Sequence, residues 1–172
     1  SVLAKTDSRL ESVPQMLLAM GPEKGAEYAF IVEKKSQQLF VFQYKNSFKE
    51  VFKASCSTGK NSGPKTRSGD SKTPEGIYFF VQEHKKEDLS ATYGAGAFPI
   101  DYPNIIDRLA GSTGNSIWLH GTNKMLKPRD SNGCIVLSDE TFAQVTAYIQ
   151  LNRTPLIIVE DLADITMDSA KD

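Results

Sequence analysis

The sequence predicts a mainly β, α+β domain: a sandwich or open barrel with a short N-terminal helix and one further helix late in the chain. Aromatic and β-branched runs recur between Tyr28 and Glu160, broken by Lys, Ser, Asn, Gly and Pro. Helical spacing stands out at Leu10, Val13, Leu17 and Leu18, and again at Phe142, Val145, Tyr148 and Ile149. With 172 residues and 40% hydrophobic content, the chain is large enough for a core without disulfide staples.

In chain order, the first helix is expected to stop at Gly21-Pro22, which gives residues 1–27 as an N-terminal helical extension. Strands are expected over Tyr28–Glu33, Gln38–Tyr44 and Phe48–Ser55 as a meander, because short Lys/Ser/Gln and Lys-Asn breaks separate them. Further strands are expected at Ile77–Glu83, Ser116–His120, Cys134–Leu137 and Leu156–Glu160. Ser138 is the expected N-cap of a helix running to about Leu151 as a packing element, and Thr154-Pro155 separates it from the last strand. Residues 28–160 form the main domain, and residues 161–172 form a polar tail expected to fray.

Charge and composition exclude several classes. Twenty basic residues stand against 21 acidic ones, a net charge of −1, so no excess recruits nucleic acid or an anionic membrane. No apolar stretch approaches the ~18 residues that span a bilayer. The spacing of the two histidines and two cysteines fits no zinc motif, and no glycine pattern opens a helix as a phosphate loop does, so no metal or cofactor is expected. The chain starts at Ser1 without an initiator Met or signal-peptide pattern, as expected of processed or trimmed material.

The segment Ile117–Leu137 holds one of each pair, His120 and Cys134, both at strand ends beside polar loops. A free thiol has a pKa near ~8.5, and a neighbouring imidazole both takes its proton and stabilises the thiolate. Gly133 permits close backbone approach, and the N–H groups of Gly133 and Cys134 are candidates for holding an oxyanion. No acid adjoins His120 in sequence, so the group orienting its ring is either a backbone carbonyl, such as that of Gly121, or an acid supplied by the fold. The bland alternative is a buried small hydrophobe and a satisfied core histidine. Cys56 is read as a structural thiol at a strand end, because a Cys56–Cys134 bridge would quench the nucleophile, and His84 as part of a solvated charged turn.

These residues resemble a known signature. His120-Gly121-Thr122 followed by Ser131-Asn132-Gly133-Cys134-Ile135-Val136-Leu137 is similar to the L,D-transpeptidase catalytic domain, the YkuD domain, with its His-Gly, gap, and Ser/Thr-His-Gly-Cys-apolar-Arg pattern. Two more blocks agree: Ser57-Thr58-Gly59-Lys60 with Gly69-Asp70 and Thr73-Pro74-Glu75-Gly76-Ile77-Tyr78, and Tyr102-Pro103-Asn104 with Asp107-Arg108. Asn132 replaces the usual second His, and Val136 replaces the usual Arg.

The resemblance implies an L,D-transpeptidase-like fold and a cysteine acyltransferase of the bacterial cell wall, in the periplasm or cell envelope. Cys134 is then the nucleophile, His120 the base and acid, Gly121 the carbonyl that orients the ring, and Gly133 an oxyanion donor. Arg129, Ser131, Asn132, Tyr102 and Thr122 are the expected substrate contacts, with Arg129 standing in for the missing Arg as a carboxylate clamp. The implied partners are peptidoglycan stem peptides, with a wall-linked lipoprotein as a further acceptor.

Other readings stay open. Water as acceptor gives an L,D-carboxypeptidase or hydrolase, and loss of activity gives a non-catalytic peptidoglycan-binding module, although retention of both His120 and Cys134 argues against the latter. A sortase-like enzyme also places His before Cys, but it calls for Thr-x-Thr-Cys and a later Arg. Lys60, Lys65, Arg67 and Lys72 mark the segment 59–76 as either a solvated loop or a mobile wall meeting substrate carboxylates. Asp70 and Thr73–Gly76 within it are expected to fix turns, and the Gly-rich segment 93–102 is a flap or a connector.

Overall fold

The computed structural model describes residues 28–44 and 48–166, so the expected N-terminal helix lies outside the described residues. Among the described residues nine strands form two sheets: β1 (Tyr28–Glu33), β2 (Gln38–Tyr44), β3 (Phe48–Ser55), β4 (Gly76–Phe79), β5 (His84–Lys85), β6 (Gly96–Pro99), β7 (Trp118–Thr122), β8 (Ile135–Ser138) and β9 (Pro155–Val159). The first sheet runs β3-β2-β1-β9-β4 and the second β5-β6-β7-β8. Three short α-helices accompany them among the described residues: α1 (Ile105–Leu109), α2 (Asp139–Val145) and α3 (Leu162–Thr166). Among the described residues no helix is long and apolar enough to cross a membrane.

Alternation explains the layering. Phe30 and Val32 of β1 join Leu39 and Val41 of β2 in a core with Leu119 of β7 and Ile135 and Leu137 of β8, while Ala29 and Ile31 face the opposite side with Phe40, Ile157 and Leu162. Strand β1 is therefore buried on both faces, which explains its apolar run. It pairs antiparallel with β2 and parallel with β9. In the second sheet β7 lies antiparallel to β6 and parallel to β8. Bridges from Ser57 to Val136 and from Gly59 to Ser131 tie the chain beyond β3 to the segment around β8, so the first sheet braces the second where the site forms.

The structure corrects several expectations. The segment 93–102 is neither simple flap nor connector, since it contributes β6 to the second sheet. The expected strand 77–83 ends at Phe79, and the chain re-enters the other sheet as β5, which includes His84. His84 is half-buried with its ring centroid 5.0 Å from that of Trp118, so it is no solvated turn. Helix α1 was not anticipated because Ile105, Ile106 and Leu109 are all exposed, leaving no amphipathic stripe. Its start is encoded instead by a capping box between Asn104 and Asp107. Ser138 does cap α2, but the helix tightens into a 3-10 turn at Thr146–Tyr148 well before Leu151. There the Thr154 hydroxyl accepts the Gln150 N–H, and Tyr148 turns onto Tyr28 and Phe52. The expected fraying tail begins as α3, held by buried Leu162 and by its N–H donating to Glu33.

Candidate active site

His120 is placed by strand alternation. Leu119 turns into the core, so the side chains on either side of it, Trp118 and His120, take the opposite face. The imidazole is 7% exposed, and its Nδ1 lies 2.7 Å from the carbonyl oxygen of Gly121. A carbonyl only accepts, so Nδ1 carries the hydrogen and Nε2 is left with the lone pair. The Tyr93 ring meets the imidazole edge-on at 5.1 Å and adjoins Trp118 at 4.9 Å. Burial lowers the pKa of His120; the Gly121 carbonyl and the negative charge of Asp139 pull it partly back.

Cys134 is set by a loop built from its own neighbours. The Ser131 hydroxyl donates to the Cys134 carbonyl at 2.6 Å and accepts the Gly133 N–H at 3.1 Å. From the 59–76 segment, the Thr73 hydroxyl donates to the Gly133 carbonyl at 2.7 Å and accepts the Gly59 N–H at 2.9 Å. Gly133 has φ 141°, and a Cβ there would lie 3.0 Å from both Ile117 Cδ1 and the Lys72 carbonyl oxygen, so glycine is required twice over. The half-buried thiol donates to the Ser116 carbonyl at 3.5 Å. Burial pushes its pKa up, while the Trp118 backbone N–H and the Lys65 charge oppose that rise.

His120 and Cys134 line one cleft of about 560 Å³, together with Tyr93, Thr122, Ser131 and Asn132. In the parallel β7–β8 ladder Leu119 pairs with Ile135, so Cys134 falls beside Trp118, two residues before His120 and on the same face. Val136 also lines the cleft, as do Lys65, Lys124 and Lys127. Among the described residues no three His, Cys, Asp or Glu side chains gather to hold a metal.

Three expected site residues do other work. Arg129 turns away from the cleft: its guanidinium pairs with Glu160 at 2.9 Å and donates to the Lys34 carbonyl at 3.3 Å. The cation proposed as clamp is thus committed on the far side of its loop. Tyr102 is buried in the core, its hydroxyl donating to the Thr113 carbonyl at 2.7 Å, and it is not among the residues that line the cleft. The Gly133 N–H, expected at the oxyanion, is taken by Ser131. The Cys134 N–H has no acceptor among the described residues.

The 59–76 segment is a braced wall and not a free loop. Lys34, with a fully buried side chain, donates from Nζ to the carbonyls of Gly63 and Thr73 and to Glu75. Asp70 accepts from Lys65 and from the backbone N–H groups of Thr66, Arg67 and Lys72. Burial alone would raise the Asp70 pKa, but these donors hold it well below the ordinary carboxylate range. Lys34, Tyr93, Ser116 and Asp139 escaped sequence reading. Asp139 gave one signal, as an acid at a helix start, and Ser116 gave none.

A thiol just before one strand and an imidazole on the neighbouring parallel strand thus share one open cleft on a two-sheet β scaffold. Residues 27–158 match the L,D-transpeptidase catalytic domain (YkuD) model, and the chain belongs to that family. It is 30% identical over 94 residues to Escherichia coli K12 YafK, a provisionally named L,D-transpeptidase, covering 55% of this chain and 35% of YafK. The fold matches Bdellovibrio bacteriovorus Bd1075 with a TM-score of 0.69 at 29% identity, over 85% of this chain and 55% of that one. It also matches the Campylobacter jejuni helical cell shape determining protein Pgp2, TM-score 0.68 at 24% identity, over 90% of this chain and 57% of Pgp2, a likeness of fold alone. The chain therefore spans little more than half of these solved relatives and about a third of YafK.

Proposed function

We propose that this chain is a cysteine acyltransferase of the bacterial cell envelope, of the L,D-transpeptidase type, acting on peptidoglycan tetrapeptide stems. One observation carries the reading: the Gly121 carbonyl fixes the His120 tautomer so that a bare Nε2 shares the cleft with Cys134. Family membership and the provisional name of YafK support the substrate class.

Burial favours the uncharged form of each group, so the resting pair is neutral thiol and neutral imidazole. Nε2 takes the Sγ proton as sulfur attacks the carbonyl between an L-centre and a D-centre. The oxyanion that forms is held by the Cys134 N–H. Collapse breaks the C–N bond, the imidazolium gives its proton to the departing D-amino acid amine, and a Cys134 thioester remains. An amine from a second stem or a lipoprotein then attacks, losing its proton to His120 and releasing the thiol. In this scheme Ser131 acts by shaping the loop, its hydroxyl donating to the Cys134 carbonyl and accepting the Gly133 N–H. Thr122 and Asn132 remain as substrate contacts at the cleft wall.

The test is product analysis on purified tetrapeptide stems, with and without an added amine. Release of the terminal D-residue with formation of a new amide supports the proposal. Release yielding only the free tripeptide acid makes water the acceptor, and no release at all leaves the binding-module reading in its place.

A further inference from the structure

The carboxylate of Asp139, at the first position of α2, packs against the two segments that flank His120. Its Oδ1 accepts the Ala95 N–H at 2.8 Å. A Cβ built on Gly121 would collide with that oxygen, and so would one built on Gly94. The carboxylate therefore occupies the space that side chains at both positions would need. Gly121 is also the residue whose carbonyl binds His120 Nδ1. A helix start, a peptide bond and a ring are thus stacked in one line of contact.

We propose that Asp139 is a positioning residue for the transfer reaction: wedged between Gly94 and Gly121, its carboxylate fixes the carbonyl that sets the His120 ring and puts a negative charge behind that ring. The inference rests on His120 acting as the base and assigns a residue beyond it. Against His120 lie the Tyr93 ring from the 91–95 segment and the Gly121 carbonyl, with Asp139 of α2 behind Gly121; Cys134, Asp130, Lys65, Lys124 and Lys127 line the same cleft, and the carboxylate charge that acts on the ring is that of Asp139. Asp139 raises the His120 pKa against the lowering by burial, which favours the imidazolium at the moment it must hold a proton. The first turn of α2 also carries Glu140, but the contact with Ala95 belongs to Asp139.

The experiment uses the full chain with Asp139→Asn and Asp139→Ala, read by acylation with a carbapenem, by thermal melting, and by NMR titration of His120 assigned with a His84→Gln control. Asn keeps an oxygen for Ala95 and loses the charge; Ala loses both. Asp139→Asn should acylate at pH 8 within a few-fold of the parent, with the His120 pKa and the acid limb of the rate both moved down. Asp139→Ala should be slower by on the order of tenfold to a hundredfold, as misplacement of a base by about 1 Å implies. The proposal is overturned if both variants acylate like the parent, if both slow equally at pH 8, or if the His120 titration is the same in Asp139→Asn. Should Asp139→Ala fail to fold, Asp139→Asn still decides by its titration. A parent chain that takes no carbapenem would count against the function proposed above, while the titration would still report on the Asp139–His120 coupling.

Discussion

Burial pushes up both thiols of this chain, yet the two cysteines lie in different surroundings, Cys56 after an alternating strand and Cys134 before an apolar one. Cys56 follows β3 and is 2% exposed; desolvation pushes its thiol up to about 12. Cys134 precedes β8 at the mouth of a cleft, where a backbone N–H and a lysine counter the cost of burial. The difference lies in what surrounds the sulfur. Cys56 belongs to the core shared by the two sheets, while Cys134 is lifted out by a loop that Ser131, Gly133 and Thr73 lock from behind. The reactivity proposed for Cys134 therefore depends on loop bracing as much as on the thiol.

The largest expected contrast comes from truncating each sulfur. Cys134→Ala should abolish turnover and leave the melting temperature within about 2 to 4 °C, the shift that ~1 kcal/mol produces in a domain this size. Cys56→Ala should leave turnover within a few-fold and lower stability instead, by about 1 kcal/mol for a small core truncation. Stem-peptide kinetics and thermal melts on both variants check this pair, and a folded but inactive Cys56→Ala would break the comparison.

Next in size is the bracing itself. Thr73→Val removes a hydroxyl that serves Gly133 and Gly59 at once, leaving a buried carbonyl and a buried N–H unpaired. Denaturant titration should show a loss of about 2 to 4 kcal/mol, from one to three for each unpaired group with partial relaxation. Maleimide labelling of Cys134 should change in rate while Cys56 stays protected.

Arg129→Met should separate the two regions further. It breaks the partly exposed pair with Glu160 on the side away from the cleft, so stability should fall by up to about 1 kcal/mol while kcat/KM on stems changes less than about threefold. A tenfold or larger loss of kcat/KM with intact stability would restore Arg129 as a substrate clamp.

The smallest effect concerns acid. Asp70 has a folded pKa below its unfolded value of ~3.9, so its contribution is present above the unfolded pKa and lost as pH falls through the folded one. Melts between pH 5 and pH 2 should therefore fall less steeply in Asp70→Asn, which has already lost that contribution.

Strand positions were legible because aromatic and β-branched runs carry their own periodicity, and β1, β2 and β3 stand where those runs lie. The pair of His120 and Cys134 was legible because both stand beside glycines at strand ends. The pairing of Arg129 was not legible because its partner Glu160 lies 31 residues further on, beyond any local pattern. Tyr102 sat in a recognisable motif but packs in the core with its hydroxyl bonded to Thr113, and a motif does not say which of its residues face outward. Asp139 was invisible as a neighbour of His120 for the same reason: helix α2 folds back onto β7.

Cys134 is proposed as the thiol that takes up an acyl group. Intact-protein mass spectrometry after incubation with a carbapenem, followed by peptide mapping, tests it directly. The account predicts a single adduct, located on Cys134, absent from Cys134→Ala and retained by Cys56→Ala. No adduct on the folded parent chain, or an adduct mapped to Cys56, would contradict it.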